Sequence, residues 1–303
     1  MSHEEPHSVS IVIPVLNEEK ILEPNLNRLG SFFDSLLGNN TWNFIIVDNG
    51  SVDSTPTLLQ SAKKKWPSIQ IVNLPNPNYG AALKAGLLSA TSSWVYLLDI
   101  EQWDLPFIAW SWVNRNDYEM FIASKRADPT ICFQTPYRKL LSCGLNALLQ
   151  ISLGFTGSDT HGPKLLNRKS LEPIIQKCQL DRGQFDTELV LRALRKRFRI
   201  VEVPVLYKES RPNRNWMIKK VVWNIFALRR LISVLKNVPS EGLIRYRRFS
   251  REDVMAISLP SIGVIDVYRS KTAISALHQF FNLCPMCFHN TYQCRAQWAG
   301  GRI

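Results

Sequence analysis

The stretch SVSIVIPVLNEE, residues 8–19, is the first indication of the fold class of the chain. Its first eight residues are uncharged and rich in β-branched side chains, which predicts a buried strand that ends near Pro14 and Asn17. The chain then turns polar, and residues 18–37 carry apolar side chains at helical spacing. A buried strand followed directly by a helix is the first unit of an α/β protein.

The same alternation continues outward from this stretch. Further short apolar strands are predicted at residues 44–47, 69–74 and 94–98. The helices between them begin at Ser54 or Thr55, with Pro56 in the first turn, and at Tyr79. This alternation predicts an α/β fold with a mostly parallel central sheet and helices on both faces.

The second half of the chain is less regular. Helices are predicted over residues 136–153, 185–197 and 216–236. Residues 200–205 (IVEVPV) predict an edge strand, because Pro204 cannot donate a ladder hydrogen bond. Uncharged stretches at 140–158 and 272–294 contain too many polar residues for a membrane span, so we expect no transmembrane helix.

Polar residues follow three of the predicted strands. They are Asn17 and Glu18 after the first, Asp48 and Asn49 after the second, and Asp99 and Glu101 after the fourth. Ligands of parallel α/β sheets bind beyond the carboxyl ends of the strands. The recurrence therefore predicts one shared site at this edge.

Asp99-Ile100-Glu101 is the candidate metal site. Two carboxylates one residue apart suit a hard divalent cation such as Mg²⁺ or Mn²⁺, which prefers oxygen ligands and often binds substrate phosphates as well. The alternative is a solvated turn. Likewise, residues 48–55 (DNGSVDST) are either a turn that caps a helix or a contact to a nucleoside.

Other motifs narrow the class of enzyme that the sequence predicts. Asn78-Tyr79-Gly80 opens a helix whose N–H groups, with Lys84, could face a phosphate. The chain has no G-x-G-x-x-G after a strand and no G-x-x-x-x-G-K-[ST], which argues against dinucleotide oxidoreductases and P-loop enzymes. It also has no G-x-S-x-G elbow of an α/β-hydrolase.

The charge is unevenly distributed. The 303 residues include 37 Lys and Arg and 25 Asp and Glu, a net charge of +12. Residues 1–160 hold 11 basic and 15 acidic side chains, whereas residues 161–250 hold 21 and 7. The basic segment indicates anionic partners such as phosphates, a membrane surface or nucleic acid. The apolar content of 45 % excludes a wholly disordered chain.

Taken in order, these motifs resemble glycosyltransferase family 2 with the GT-A fold, in its branch of dolichyl- and polyprenyl-phosphate sugar synthases. The likeness spans residues 8–235. The family's V-P-x-x-N-E is similar to residues 13–18, its V-D-D-G-S-x-D-x-T to 47–55, and its D-x-D to 99–101. Its D-x-x-x-G-x-R/K is similar to 159–164. Asn49 and Glu101 depart from it, as do Arg214 and Trp216 in the R-x-x-G-x-S loop.

The resemblance implies roles for residues of this chain. A nucleoside-diphosphate sugar would be bound by Pro14, Asn17, Glu18, Asp48, Asn49, Ser51, Gly80, Lys84, Lys125, Arg138, Ser142 and Arg211. The metal ligands would be Asp99 and Glu101, and the acceptor side would include Asp159, His161 and Lys164.

The implied reaction is inverting transfer of a hexose to a polyprenyl or dolichyl phosphate. Such a phosphate is already an anionic nucleophile, so no strong base is needed. A sugar or lipid hydroxyl would need one, and Asp186 or Glu188 is the candidate. The structural alternative for both acids is salt bridging to Arg192 and Arg195 on the same helix. Two rivals remain, namely an inactive GT-A scaffold and a nucleic-acid-binding protein, although we expect no nucleic-acid partner.

Three regions are expected: a GT-A domain over 8–212, a basic amphipathic helical segment over 213–250 and a tail over 251–303. The helix aligns Ile218, Val222, Ile225, Leu228, Ile232 and Leu235 on one stripe. The stripe either packs on the core or lies on an anionic membrane. Because a lipid-linked acceptor favours the membrane, we expect a cytoplasmic protein that is peripheral on the cytoplasmic membrane face. In the tail, Cys284, Cys287, His289 and Cys294 are a candidate site for Zn²⁺.

Overall fold

The computed structural model of the chain describes the backbone of residues 8–128, 132–133, 136–205, 207–208, 217–236, 238–239 and 247–248. Side chains are described for 8–128, 132, 143–205, 226–236 and 238–239. The 251–303 tail, with its candidate zinc ligands, lies outside the described residues, and the expected division of the chain at 212 and 250 stays a prediction.

One mixed sheet forms the centre of the protein. Its strands are β1 (Val9–Val15), β2 (Trp42–Asp48), β3 (Gln70–Asn73), β4 (Trp94–Leu97), β5 (Met120–Ser124), β7 (Lys164–Asn167), β8 (Ile200–Pro204) and β10 (Arg247–Arg248). They lie in the order β10-β8-β5-β7-β4-β1-β2-β3, and β6 (Cys132–Phe133) and β9 (Tyr207–Lys208) form a separate parallel pair. Only β7 runs antiparallel to its neighbours, so the predicted mostly parallel α/β sheet is confirmed.

In the described residues, eight α-helices accompany the strands. They are α1 (Leu22–Leu37), α2 (Thr55–Lys65), α3 (Tyr79–Ser89), α4 (Leu105–Val113), α5 (Pro136–Leu153), α6 (Arg168–Lys177), α7 (Phe185–Arg195) and α8 (Met217–Leu235). Each helix predicted in the sequence is present, with boundaries shifted by at most a few residues.

The sheet separates two apolar layers. In β1, Ile11 and Ile13 face the layer of α1, α2 and α4, while Val12 faces the layer of α3, α5, α6, α7 and α8. Successive strand side chains point to opposite faces, which is why a strand buried on both sides reads as a continuous apolar run. Pro14 is tolerated in β1 because the pairing with β4 ends at Val12.

The prediction of an edge strand at residues 200–205 is wrong. β8 is buried along its whole length and lies between β5 and β10. Pro204 is its last residue, whereas β10 pairs only with Val201 and Glu202. A proline at the end of a strand removes no ladder bond, so it does not mark an edge here.

The described half of α8 packs on the protein core. Leu231 and Leu235 are buried, and Leu228 and Ile232 of the predicted stripe contact the same cluster. Arg195 of α7 donates to the backbone carbonyl of Leu235, which ties the two helices together. For this half the core interpretation of the stripe is confirmed. Among the described residues, no helix is long and apolar enough to cross a membrane.

Candidate active site

The polar strand ends predicted in the sequence meet at one edge of the sheet. β1 lies between β2 and β4, so the chain reverses its direction of winding there, and the crevice at such a point is the usual ligand site of an open α/β sheet. Asn17 and Asp99 lie in the loops after β1 and β4 at this edge, and Asp48 is the last residue of β2.

The loops after β1 and β2 hold each other. Asn17 has a positive φ of 55°, its side-chain oxygen accepts from the Val52 N–H at 2.8 Å, and its own N–H donates to Ser51 Oγ at 3.0 Å. The Ser51 N–H in turn donates to an oxygen of Asp48 at 3.0 Å, and the Glu18 N–H donates to Thr55 Oγ1. The structure thus brings these predicted residues together, and several of their polar groups fix the loops.

An open cleft of about 530 Å³ lies beyond the ends of β2 and β3. It is lined by Asp48, Gly50, Ser51, Val52, Pro56, Thr57, Leu59, Gln60, Ile71, Asn73, Leu74 and Pro75. This volume is typical of small-ligand sites, and the lining combines apolar walls with a few polar groups.

Asn49 joins the cleft to the start of α3. Its side-chain oxygen accepts from the Asn78 N–H at 2.7 Å. Asn78 caps α3 and also accepts from the Arg182 N–H at 2.7 Å. A Cβ atom at Gly80 would lie 2.2 Å from the Arg182 carbonyl oxygen, so Gly80 allows this close approach. Asn49 and Gly80, both predicted ligand contacts, here build the junction.

Asp99 lies beside a buried ion pair. Lys164 Nζ donates to an oxygen of Asp186 at 2.7 Å, and these side chains are only 1 % and 3 % exposed. The Tyr79 hydroxyl donates to Asp99 Oδ1 at 3.2 Å. All four residues line one small cavity with His161 and Gly162.

The environment of Asp99 disfavours its charged form. Burial, followed by repulsion from Asp186, raises the pKa of this carboxyl, while the Tyr79 hydrogen bond and the charges of Lys164 and Lys125 oppose that rise. Lys125, directly after β5, is thus close enough for its charge to act on Asp99. A cation bound here would favour the ionised carboxylate.

The direction of β7 explains how Lys164 reaches the site. Because β7 is antiparallel, its first residue lies at the edge where β4 and β5 end, and Lys164 pairs with Leu97 and Ile122. Asp186 arrives in the first turn of α7, and Tyr79 in the first turn of α3. Three separate elements therefore converge on Asp99.

The donor set fits a divalent cation. Asp99 and the half-buried Glu101 follow β4 and offer carboxylate oxygens, the ligands that Mg²⁺ and Mn²⁺ prefer. Within the part of the chain with described side chains, no cluster of three or more His, Cys, Asp or Glu residues could hold a metal. A cation at Asp99 and Glu101 would therefore need substrate phosphates or water as further ligands.

Two predicted residues lie apart from this cluster. Glu188 is fully buried, and it pairs with Arg192 at 2.7 Å and accepts from the Gln179 and Leu180 N–H groups. The salt-bridge alternative is thus confirmed for Glu188. Lys84 donates to the Cys178 carbonyl at 2.6 Å, at the C-terminal cap of α6, and it does not line either cleft described above.

Asp159 and His161 of the acceptor side lie on the loop before β7, and Lys164 is the first residue of that strand. Asp159 is 6 % exposed, accepts from the His161 N–H through one oxygen and has no hydrogen-bond partner on the other. The imidazole of His161 contacts the Gly183 carbonyl at 2.9 Å. Buried Glu202 of β8 fixes the same loop by accepting from the Ser158 and Asp159 N–H groups.

The predicted phosphate contacts include three residues for which no side chain is described. Arg211 and the side chains of Arg138 and Ser142 lie outside the described residues.

Tyr79 and Glu202 are the residues whose roles the sequence did not reveal. The available signals were a phenol in the first turn of a helix at the sheet edge, and a lone charge within an apolar strand.

Gly162 provides a test of this loop. A Cβ atom there would lie 1.7 Å from the Ala123 carbonyl oxygen, a backbone atom that cannot yield without moving β5. We expect Gly162→Ala to destabilise the protein by about 1–3 kcal/mol or more through overpacking. Thermal unfolding of the purified variant measures this.

The matched control is Gly144→Ala, in α5, where a Cβ atom would meet nothing within 4 Å. This change is expected to leave stability unchanged or to raise it by roughly 0.5–1 kcal/mol, because alanine is the better helix former. Equal stability of the two variants would contradict the tight packing described at Gly162.

Solved structures with the same architecture define the class of fold. The chain is similar to glucosyl-3-phosphoglycerate synthase from Mycobacterium tuberculosis in complex with UDP, with a TM-score of 0.54 and 18 % identity over 78 % of this chain and 82 % of that one. A mannosyltransferase from Pyrobaculum calidifontis, in complex with GDP-Man and Mn²⁺, has a TM-score of 0.50 and 15 % identity over 91 % and 88 %. The fold is GT-A.

Sequence relatives define the family. The profile described as glycosyl transferase family 2 matches residues 10–106. A dolichyl-phosphate beta-glucosyltransferase of Trichomonas vaginalis is 30 % identical over 218 residues, which cover 68 % of each protein. An undecaprenyl-phosphate 4-deoxy-4-formamido-L-arabinose transferase of an Enterobacter species is 29 % identical over 67 % of this chain and 60 % of that one. The chain belongs to glycosyltransferase family 2 and is a glycosyltransferase.

Proposed function

We propose that this glycosyltransferase moves a hexose from a nucleoside-diphosphate sugar to a polyprenyl or dolichyl phosphate, with inversion at the anomeric carbon. The observation that carries the proposal is the convergence of an open cleft and the Asp99, Lys164 and Asp186 cluster at one sheet edge. The names of the two sequence relatives above support the acceptor class.

The nucleoside is assigned to the cleft beyond β2 and β3. Asp48 and Ser51 line it and can offer a carboxylate and a hydroxyl to a ribose or base edge. Asn17 and Glu18 contribute by holding the loop in which Ser51 lies. The apolar wall of Leu59, Ile71 and Leu74 suits the face of a planar base.

The diphosphate is assigned to the end of β4. Asp99 and Glu101 would hold Mg²⁺ or Mn²⁺, which supplies positive charge to the departing nucleoside diphosphate. Lys125 adds a second positive charge near Asp99. Arg138, Ser142 and Arg211 remain predicted phosphate contacts. The two arginines suit this role because the planar guanidinium can bind two phosphate oxygens at once.

The acceptor phosphate needs no deprotonation, so the reaction needs no general base. The contacts of Asp186 and Glu188, the two candidate bases, agree with this. Asp186 is paired with Lys164, and Glu188 with Arg192, so both proposed bases already have cationic partners. Asp186 and Lys164 are proposed instead to position Asp99. Asp159 and His161 are proposed to border the acceptor, next to the same cavity.

A lipid acceptor also implies where the enzyme works. We propose that it binds peripherally to the cytoplasmic membrane face, and that the basic residues 161–250 serve phosphates and lipid rather than nucleic acid.

Filling the nucleoside cleft tests the donor assignment. Thr57 is exposed on α2 and lines the cleft. We expect Thr57→Trp to weaken the binding of UDP or GDP at least about tenfold, a loss of roughly 1.4 kcal/mol, because the indole occupies the space of the base. Calorimetric titration of each nucleotide with Mn²⁺ present measures the affinity.

Ser61→Trp is the matched control for the cleft. Ser61 is also an exposed hydroxyl residue of α2, one turn farther along, and it does not line the cleft. It should retain the affinity of the parent protein. If both variants bind equally well, or if the parent binds neither nucleotide, the cleft is not the donor site.

A further inference from the structure

We propose that the outward faces of α5 and α8 together form a docking surface for an anionic lipid membrane. The surface is defined by Leu148 and Ile151 of α5, by Phe226, Arg229 and Arg230 of α8, and by Lys236, the residue directly after α8. The choice of a membrane as its occupant rests on the function proposed above. It differs from the apolar stripe predicted in the sequence, whose described half packs on the core.

The two helices lie side by side in one layer. Leu149 and Leu153 of α5 and Leu231 and Leu235 of α8 are buried in the same apolar cluster on one face of the sheet. α5 and α8 also contact each other directly. Their inward faces are therefore fixed by the core, and their opposite faces point away from the sheet on the same side of the molecule.

The outward faces carry large apolar side chains. Ile151 is 84 % exposed and Phe226 is 63 % exposed, and Leu148 is exposed beside Ile151 on α5. At 100° per residue, Ile151 lies opposite Leu149 and Leu153, and Phe226 lies opposite Leu231 and Leu235. Large exposed apolar side chains grouped on one surface and rimmed by polar residues are typical of a protein or membrane contact site.

The α8 side of this surface is positively charged. Arg229 and Arg230 are exposed about one turn from Phe226, and Lys236 is exposed just beyond the end of α8. Neither α5 nor α8 contains an aspartate or glutamate, while together they contain six lysines and arginines. Apolar side chains surrounded by cations match the interface of an anionic membrane, where the former enter the acyl boundary and the latter meet headgroup phosphates.

The surface adjoins the acceptor side of the site. Arg230 contacts Asp181 at 3.5 Å, and Asp181 accepts from the side chain of Asn78 at the start of α3. Gly183 lies two residues after Asp181, and its carbonyl contacts His161. α5 leads directly into the loop that carries Asp159. A membrane held by α5 and α8 would thus present a lipid phosphate close to the cavity at Asp99.

Vesicle binding by the full chain tests the surface. The comparison uses sucrose-loaded vesicles of phosphatidylcholine alone and of phosphatidylcholine mixed with phosphatidylglycerol. The parent protein should sediment with the mixed vesicles, and added salt should weaken this binding. The double variant Ile151→Glu/Phe226→Glu should bind at least about tenfold more weakly, because it loses both apolar insertions and two units of net charge.

Val113→Glu is the matched control. Val113 is 47 % exposed at the end of α4, in the layer on the other face of the sheet, and its replacement should leave vesicle binding unchanged. Thermal unfolding and nucleotide affinity of every variant should match the parent, since these side chains touch neither the core nor the cleft. Unchanged binding of the double variant, or no vesicle binding by the parent, would overturn the surface.

The outcome separates this inference from the function on which it rests. If the parent transfers sugar to a polyprenyl phosphate in detergent but binds no vesicles, the surface is wrong and the function stands. If it binds vesicles through Ile151 and Phe226 but transfers no sugar, the surface stands and the proposed acceptor is wrong.

Discussion

Replacing Lys164 with methionine is expected to lower the free energy of unfolding by about 3–5 kcal/mol, because the change leaves the buried carboxylate of Asp186 without its counter-ion. The methionine fills a similar volume, so the loss reports the missing charge rather than a cavity. Chemical denaturation of the purified variant in the presence and absence of Mn²⁺ measures the effect.

Two further variants separate the buried pair from ordinary ion pairs. Lys164→Met/Asp186→Leu removes both charges and should recover a substantial part of the lost stability. Arg199→Met breaks an ion pair with Glu119 in which the arginine is 56 % exposed, and it should cost no more than about 1 kcal/mol. A loss at Lys164 no larger than the loss at Arg199 would contradict the buried pair.

Asp99→Asn is expected to reduce sugar transfer at least about a thousandfold, which corresponds to several kcal/mol of charge stabilisation lost with the proposed metal ligand. It should not destabilise the protein without metal. Burial and Asp186 raise the pKa of Asp99. A carboxyl whose pKa is higher in the folded state destabilises the fold at neutral pH relative to acid pH, and a neutral amide removes that penalty.

The control for this variant is Asp117→Asn, an exposed aspartate in the loop after α4. It should leave both activity and stability unchanged. A clear loss of stability in Asp99→Asn would mean that its activity loss reports misfolding, and activity within tenfold of the parent would remove Asp99 from the metal site.

The parts of the fold that depend on local sequence were predictable. The apolar run of β1 and the polar strand ends located the sheet edge, since both follow from neighbouring residues. The pairing of Glu188 with Arg192 was one of two alternatives for that residue, because side chains four apart on a helix are neighbours.

Contacts between distant parts of the chain were not predictable in this way. Nothing in residues 164–167 indicates that β7 runs antiparallel, yet that direction brings Lys164 to the site edge beside Asp186. The hydrogen bond from Tyr79 to Asp99 likewise joins two elements that the topology, not the local pattern, brings together.

The apolar stripe of α8 shows a further limit. A helical spacing of apolar residues predicts which side chains share a face, but it does not say what covers that face. In the described half, Leu231 and Leu235 face the core, so the face left for a partner is the one with Phe226 and Arg229.

The most direct test of the central claim is transfer itself. Purified parent protein and Asp99→Asn are incubated with Mn²⁺, polyprenyl phosphate and a panel of radiolabelled UDP- and GDP-hexoses, and the lipid phase is extracted and counted. We expect label in the lipid phase from at least one donor with the parent, and almost none with Asp99→Asn. Label found only on a hydroxyl acceptor, or equal transfer by both proteins, would contradict it.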